Sequence, residues 1–343
     1  MIENSKRRIA VWLFSGCFLI FAMVVIGGIT RLTGSGLSIT EWNVIMGAIP
    51  PMNDAEWQEA FQKYQQIPQF QKINSHFVLD DFKAIFLWEY LHRLVGRLIG
   101  VVFIIPFLWF LIKKQMDKPM IRKALFLFAL GGLQGFLGWF MVKSGLTERT
   151  SVSHIRLAIH LMAAFITFGF TFWYALELIY PRTGKAQNGD RKLIRTVFGL
   201  IIVQIVYGAF VAGLHAGKMY NTWPLMDGQL VPTGIVSSNS FLDNITGNQV
   251  MVQFLHRTFA FIIFFSVIYL WFTYRKKMLS KNQSRSLNFL LVAVFIQVIL
   301  GILTLLSQVE ITLASLHQIG AFFLFSATIF LLYQFRSAEK YPG

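Results

Sequence analysis

The chain alternates between long apolar runs and shorter polar stretches. The runs cover about 9–29, 84–112, 122–142, 152–180, 194–214, 250–274, 286–307 and 311–335. A hydrocarbon layer of about 30 Å takes about 20 helical residues to cross, so each run is long enough to span it as a helix. One polar stretch has a helical pattern of its own. In DAEWQEAFQKYQQ (54–66), Trp57, Phe61 and Tyr64 fall at i, i+4 and i+7, one face of an amphipathic helix, and Asp54 is placed to cap it. That helix is expected to lie on the membrane surface or to cover the bundle. The pattern predicts an all-α integral membrane protein with eight transmembrane helices.

Composition agrees, with 55% hydrophobic and 14% charged residues. A net charge of +15 would suit nucleic acid, but its placement argues for a membrane instead. Of 31 Lys and Arg, 20 fall in the N-terminus, the C-terminal tail and the stretches 113–123, 182–195 and 275–285. Seven fall in the alternate loops, and four (Arg93, Arg97, Arg156, Arg257) lie within the runs. Both termini are therefore expected in the cytoplasm, with the even-numbered helices entering from outside and lipid, not nucleic acid, as the surrounding partner. The one cysteine, Cys17, excludes an internal disulfide and any CxxC metal site, and it reads as a small buried hydrophobe. The first run follows Lys6, Arg7 and Arg8 as a secretory leader would. It is span-length and lacks a small-residue cleavage site, so a retained helix is expected.

The chain also repeats itself. GGITRLTGSGLSITEWNVIMGAIPP (27–51) parallels GAFVAGLHAGKMYNTWPLMDGQLVP (208–232), and GGLQGFLGW (131–139) parallels FIQVILGIL (295–303). Two four-helix halves are expected, 1–181 and 182–343, joined by the polar linker PRTGKAQNGDRK (181–192). Each half has one long external loop, about 30–83 and about 215–249. An even number of helices per half implies a pseudo-two-fold axis along the membrane normal.

Four histidines sit at matched places in this frame. EYLHR (89–93) and QFLHR (253–257) carry His92 and His256, while HLMAAF (160–165) and HQIGAF (317–322) carry His160 and His317. Each falls about 6 to 8 residues into its run, or about 9–12 Å below the outer boundary at 1.5 Å per residue. One such histidine is readily explained as a hydrogen bond between helices. Four at one depth in a duplicated frame point to two bis-imidazole sites, the arrangement that holds haem iron axially within a bundle. Copper or zinc fits less well, because no thiolate or carboxylate supplements the pairs at ligand spacing. Arg93 and Arg257 follow two of the histidines and are placed either to meet haem propionates or to pair helices. Glu89 lies one turn before His92 on the same face, and its counterpart is Gln253, which cannot act as an acid or base. That difference assigns chemistry to the first half and a non-reactive role to the second, unless Glu89 only pairs helices through an arginine. His76, His154 and His215 read as interfacial polar residues.

Taken together, EYLHR, GGITRLTGSGLSITEW, NTWPLMDG, QFLHR and SLHQIGAF resemble the haem A synthase family over essentially the whole chain. The first loop is most similar to the alphaproteobacterial and mitochondrial branch, and the loop cysteine pair of some bacterial members is missing. The resemblance implies an enzyme of the cytoplasmic (inner) membrane, with its haem sites toward the external face. Its reaction would be oxidation of the C8 methyl of haem O through an alcohol to the formyl group of haem A. It implies substrate haem at His92 and His160, a haem b cofactor at His256 and His317, and a catalytic Glu89. A haem O synthase and an electron-transfer protein or quinone are the implied partners. Two other classes use the same features: a bis-histidine cytochrome b that only passes electrons, and a transporter.

Overall fold

The computed structural model describes residues 3–42, 46–146, 149–180 and 191–336, with backbone alone at 3 and 46. Ten α-helices make up these residues: α1 (Glu3–Leu32), α2 (Asp54–Gln65), α3 (Leu79–Ile112), α4 (Lys118–Leu146), α5 (His154–Ile179), α6 (Arg191–Gly213), α7 (Phe241–Gly247), α8 (Gln249–Tyr274), α9 (Lys281–Leu306) and α10 (Ile311–Gln334). Eight of them, all but α2 and α7, are long and apolar enough to cross a membrane. Apart from an isolated bridge between Met226 and Gln229, the described residues form no β pairing. The protein is an all-α integral membrane protein. Its fold follows from the backbone's need to satisfy its own hydrogen bonds in hydrocarbon.

The chain divides into two compact units, Met1–Phe172 and Trp173–Gly343. Of the linker expected at 181–192, residues 181–190 lie outside the described residues. In the first unit α1 packs along α3, and the two are tied near their ends. Trp12 Nε1 donates to the Val102 carbonyl at 3.1 Å, and Thr30 Oγ1 donates to the Trp88 carbonyl at 3.3 Å. In the second unit α6, α8, α9 and α10 pack together, and Tyr333 Oη donates to the Leu176 and Tyr180 carbonyls at 3.0 and 2.6 Å.

Two local expectations are corrected. The amphipathic helix is present as α2, but its N-cap is Asn53, not Asp54. Asn53 has extended backbone and its side chain accepts from Glu56 N at 3.0 Å, whereas Asp54 is already in the first turn. The third helix begins at Leu79, not near 84. Its extra turn is a docking post for α2. Phe82, fully buried, lies among Trp57, Phe61, Tyr64 and Phe86, so α2 covers the loop end of the first unit.

Candidate functional site

Each of the four histidines lies against a glycine of the neighbouring helix. A Cβ placed on Gly27 of α1 would stand 2.9 Å from His92 Cε1, and one on Gly138 of α4 would stand 3.2 Å from His160 Cε1. In the second unit the corresponding distances are 3.3 Å from Gly208 to His256 and 2.9 Å from Gly301 to His317. Any larger residue would push the ring aside, so hydrogen at these four positions is what seats the imidazoles. The same glycines let the helices approach closely, as in other membrane bundles.

A second device recurs one turn away. Four residues before Gly138, Gly208 and Gly301 stand Gln134, Gln204 and Gln297. Each donates its Nε2 to the backbone carbonyl of the facing histidine: Gln134 to His160 at 3.0 Å, Gln204 to His256 at 3.0 Å, and Gln297 to His317 at 3.1 Å. In the second unit the amides also reach the rings, with Gln204 Nε2 3.4 Å from His256 Nε2 and Gln297 Nε2 3.2 Å from His317 Nδ1. Neither the glutamines nor the glycines are among the site residues expected from the sequence. The signal was present as QxxxG at 134–138, 204–208 and 297–301. It also fixes the register of the second repeat at Gln134 with Gln297, one residue away from matching the stretches at their first residues.

The His256 and His317 rings lie 6.5 Å apart between centroids, with planes at 83°. Two imidazoles on opposite sides of one metal, at about 2 Å from each nitrogen, place their centroids about 6.4 Å apart. The separation of the pair is that of two imidazoles across a single ion. The Nδ1 atoms of His92, His160 and His256 are buried without a protein partner. No cluster of three or more His, Cys, Asp or Glu converges among the described residues. That leaves two imidazoles per site, a donor set suited to an iron whose other four positions a porphyrin fills, and not to tetrahedral zinc.

Glu89 is 3% exposed and is the one buried carboxylate among the described residues. Its Oε2 accepts from Ser38 Oγ and Ile39 N, both at 2.8 Å, and its Oε1 accepts from Arg93 Nε at 3.1 Å and Nη2 at 2.6 Å. Those four bonds fill the acceptor capacity of a carboxylate. Arg93 also donates to the carbonyls of Glu41 at 2.6 Å and Ile39 at 2.8 Å, and its guanidinium lies 4.9 Å from the Trp42 ring. The Glu41 side chain in turn holds Lys63 at 2.7 Å, with Glu59 at 2.8 Å on the other side. Both carboxylates raise the Lys63 ammonium above the usual lysine range. Segment 34–42 is thus clamped between α3 and α2.

The second unit has a corresponding clamp with an amide in place of the carboxylate. Gln253, also buried, accepts from Tyr220 N at 3.2 Å and donates to the Tyr220 carbonyl at 2.9 Å. Tyr220 stands in its repeat where Ile39 stands in the first. Arg257 donates to the Pro224 and Leu225 carbonyls at 2.9 and 3.2 Å, and its Nη1 is buried without a protein partner. Arg31, one turn beyond Gly27, has a buried Nη2 in the same condition. Its repeat counterpart is Ala212, and its place at the end of an apolar run gave it the look of a loop residue. Of the remaining histidines, His76 packs edge-on against Phe77, His154 opens α5, and His215 follows α6.

The fold and these residues define a polytopic membrane protein with two pairs of half-buried imidazoles seated in a duplicated glycine frame. The family described as cytochrome oxidase assembly protein matches residues 10–329. The chain is 48% identical to the Heme A synthase of Flavobacterium psychrophilum over 97% of its own length and 99% of that protein's. It is 45% identical to the Heme A synthase of Nitrosomonas eutropha over 96% of its length and 94% of that protein's. For the Heme A synthase of Parvibaculum lavamentivorans the figures are 44%, 95% and 94%. The chain belongs to the haem A synthase family.

Proposed function

We propose that this protein oxidises the C8 methyl group of haem O, through an alcohol, to the formyl group of haem A for cytochrome oxidase. Membership of the family over nearly the whole chain carries the reading, and the paired imidazoles supply the means. His92 and His160 hold the substrate haem, and His256 and His317 hold a haem b. When bound, that haem supplies one-electron transfer. The Gly and Gln contacts on these histidines orient the rings, the role that surrounding partners play at metal sites generally.

Glu89 is the group that distinguishes the two sites. It lies one turn from His92, held in place before any reaction begins, so its charge needs no reorganisation to act. It serves as the negative charge opposite an oxidised haem edge, or as proton acceptor once one of its four donors lets go. Gln253 does neither. Arg93 is occupied with Glu89 and the loop carbonyls, which supports a role in setting Glu89 beside its role near the propionates. Arg31 Nη2 in the first unit and Arg257 Nη1 in the second are donors suited to propionates. The protein sits in the cytoplasmic (inner) membrane with both termini in the cytoplasm and the haem sites toward the external face, following the distribution of Lys and Arg. A haem O synthase is a fitting supplier of so insoluble a substrate, and a quinone or electron-transfer protein a fitting acceptor.

Expression with and without a haem O synthase, followed by haem extraction and chromatography, tests the reaction. Haem A is expected only when both proteins are present. Accumulation of unmodified haem O alone would instead favour the electron-carrying cytochrome b.

A further inference from the structure

Segment 234–248, which leads into α8, buries its central polar side chain and exposes apolar ones. Asn244 is buried. Its Oδ1 accepts from Ser237 N and Ser238 N at 2.8 and 3.1 Å, and its Nδ2 donates to the Ser238 and Ser240 carbonyls at 2.6 and 2.9 Å. Ser240 caps α7 by accepting from Asp243 N at 3.2 Å. Asn248 closes this knot onto α8. Its Nδ2 donates to the Gly234 and Ile235 carbonyls at 2.8 and 3.1 Å, while its Oδ1 caps α8 by accepting from Val250 N and Met251 N. On the outside stand Val236, Phe241 and Leu242, which are 68%, 73% and 67% exposed. At about 3.6 residues per turn, Phe241, Leu242 and Ile245 fall within about 100° of one another round α7, and Asp243 falls on the other side. Asp243 is also the one Asp, Glu, Lys or Arg between Asp227 and Arg257.

We propose that this knot dips into the lipid leaflet that α8 enters at its N-terminal end, with Phe241 and Leu242 against the acyl chains. The inference goes beyond the haem chemistry and does not depend on it. The depth of the knot follows from α8. At the far end of that helix, Arg275 lies 4.3 Å from the Trp271 ring and Lys277 lies 4.6 Å from the Tyr274 ring, the aromatic and basic belt of a membrane boundary. A hydrocarbon layer of about 30 Å, or about 20 helical residues, counted back from Trp271 ends at about residue 252. Asn248 then stands about 6 Å beyond it, within a head layer about 5–7 Å deep. Apolar side chains at that level reach the acyl boundary, as the apolar face of an interfacial helix does. The bonds around Asn244 and Asn248 suit that place, because amides already paired inside the knot leave water at little cost. With so little charge, the knot is held by burial of apolar area and not by attraction to anionic lipid. It thereby moors the loop whose Tyr220, Pro224 and Leu225 backbones are held by Gln253 and Arg257.

Spin labels on the full-length protein in phosphatidylcholine vesicles test this. In a Cys17→Ala background, one label at a time is attached through Val236→Cys, Phe241→Cys, Leu242→Cys or Asp243→Cys. All four side chains are exposed, so labelling leaves the packing intact. Phe265→Cys, 62% exposed within the span of α8, gives the value for a label in hydrocarbon. Collision rates are measured with oxygen, which concentrates among acyl chains, and with a water-soluble nickel chelate. The oxygen-to-nickel ratio at Phe241 and Leu242 is expected to shift toward the Phe265 value, with Val236 following and Asp243, on the other side of α7, staying nearer to water. Free access of nickel at Phe241 and Leu242, equal to that at Asp243, overturns the proposal because the knot then stands in water. Low collision with both reagents at Phe241 and Leu242 overturns it too, because a protein surface and not lipid then covers them.

Discussion

Gly27 lies against the edge of the His92 ring so closely that a Cβ would come within 2.9 Å of its Cε1. Gly301 stands in the same relation to His317 at 2.9 Å, whereas Gly208 leaves His256 3.3 Å. Overpacking a filled site by one methyl costs about 1–3 kcal/mol, relieved here by tilting the ring. Gly301→Ala is therefore expected to weaken or broaden the low-spin haem spectrum, with Gly208→Ala the milder of the two. Equal damage from both would remove steric seating as the explanation.

The paired histidines lead to a prediction that separates the units. His256→Ala and His317→Ala are each expected to abolish low-spin haem b, because one imidazole leaves the iron with an open axial position. His92→Ala and His160→Ala are expected to retain that spectrum and lose haem A formation. Spectra and extracted pigments of the four purified variants give the answer. Normal haem b in both second-unit variants would refute the assignment.

Glu89 is tested best against its own counterpart. Glu89→Gln puts here the side chain that holds a loop at Gln253; it removes the charge and, because all four partners of Glu89 are donors, turns an amide N–H against one of them and gives up part of the clamp on segment 34–42. Haem A formation is expected to fall by about 10²-fold or more, within the range of positioned proton transfer, with substrate haem still bound. Glu89→Ala is expected to lose haem A formation and also to loosen the loop, because it leaves Arg93 and Ile39 N unpaired. Wild-type haem A levels in Glu89→Gln would confine Glu89 to holding the loop.

Much of this was legible in the chain. Spans of about 20 apolar residues have one stable form in lipid, so the eight membrane helices follow from length alone. The histidines stood out because an ionisable ring within a span is costly and four share one depth. The start of α3 was not legible, because Asp80, Asp81 and Lys83 read as loop until Phe82 is seen buried under α2. The partners of Glu89 were hidden for a similar reason. Ser38 and Ile39 lie about fifty residues away in sequence, and a backbone N–H leaves no trace in residue type. The seating of the histidines was half visible: glycine is common in membrane helices, and only a fixed spacing from glutamine marks three of these four, Gly27 having no such mark.

The cap over the first unit gives the last prediction. Phe82 is fully buried, with ring centroids 5.3 Å from Phe61, 5.2 Å from Tyr64 and 5.7 Å from Phe86. Removing a buried phenyl ring costs about 3–5 kcal/mol when the site cannot collapse. Here the loss falls on the docking of α2 and not on the helix bundle, since Phe82 lies ten residues before His92 and outside the apolar span. Phe82→Ala is therefore expected to speed hydrogen exchange in α2 and in segment 34–42, while exchange in the membrane helices and the haem b spectrum stay as in the parent. Turnover is expected to fall as well, because segment 34–42 supplies Ser38 and Ile39 to Glu89 and is held from its other side by the cap, through Lys63 on Glu41. Parent-like exchange in α2 would show that the cap is held by something other than this aromatic cluster.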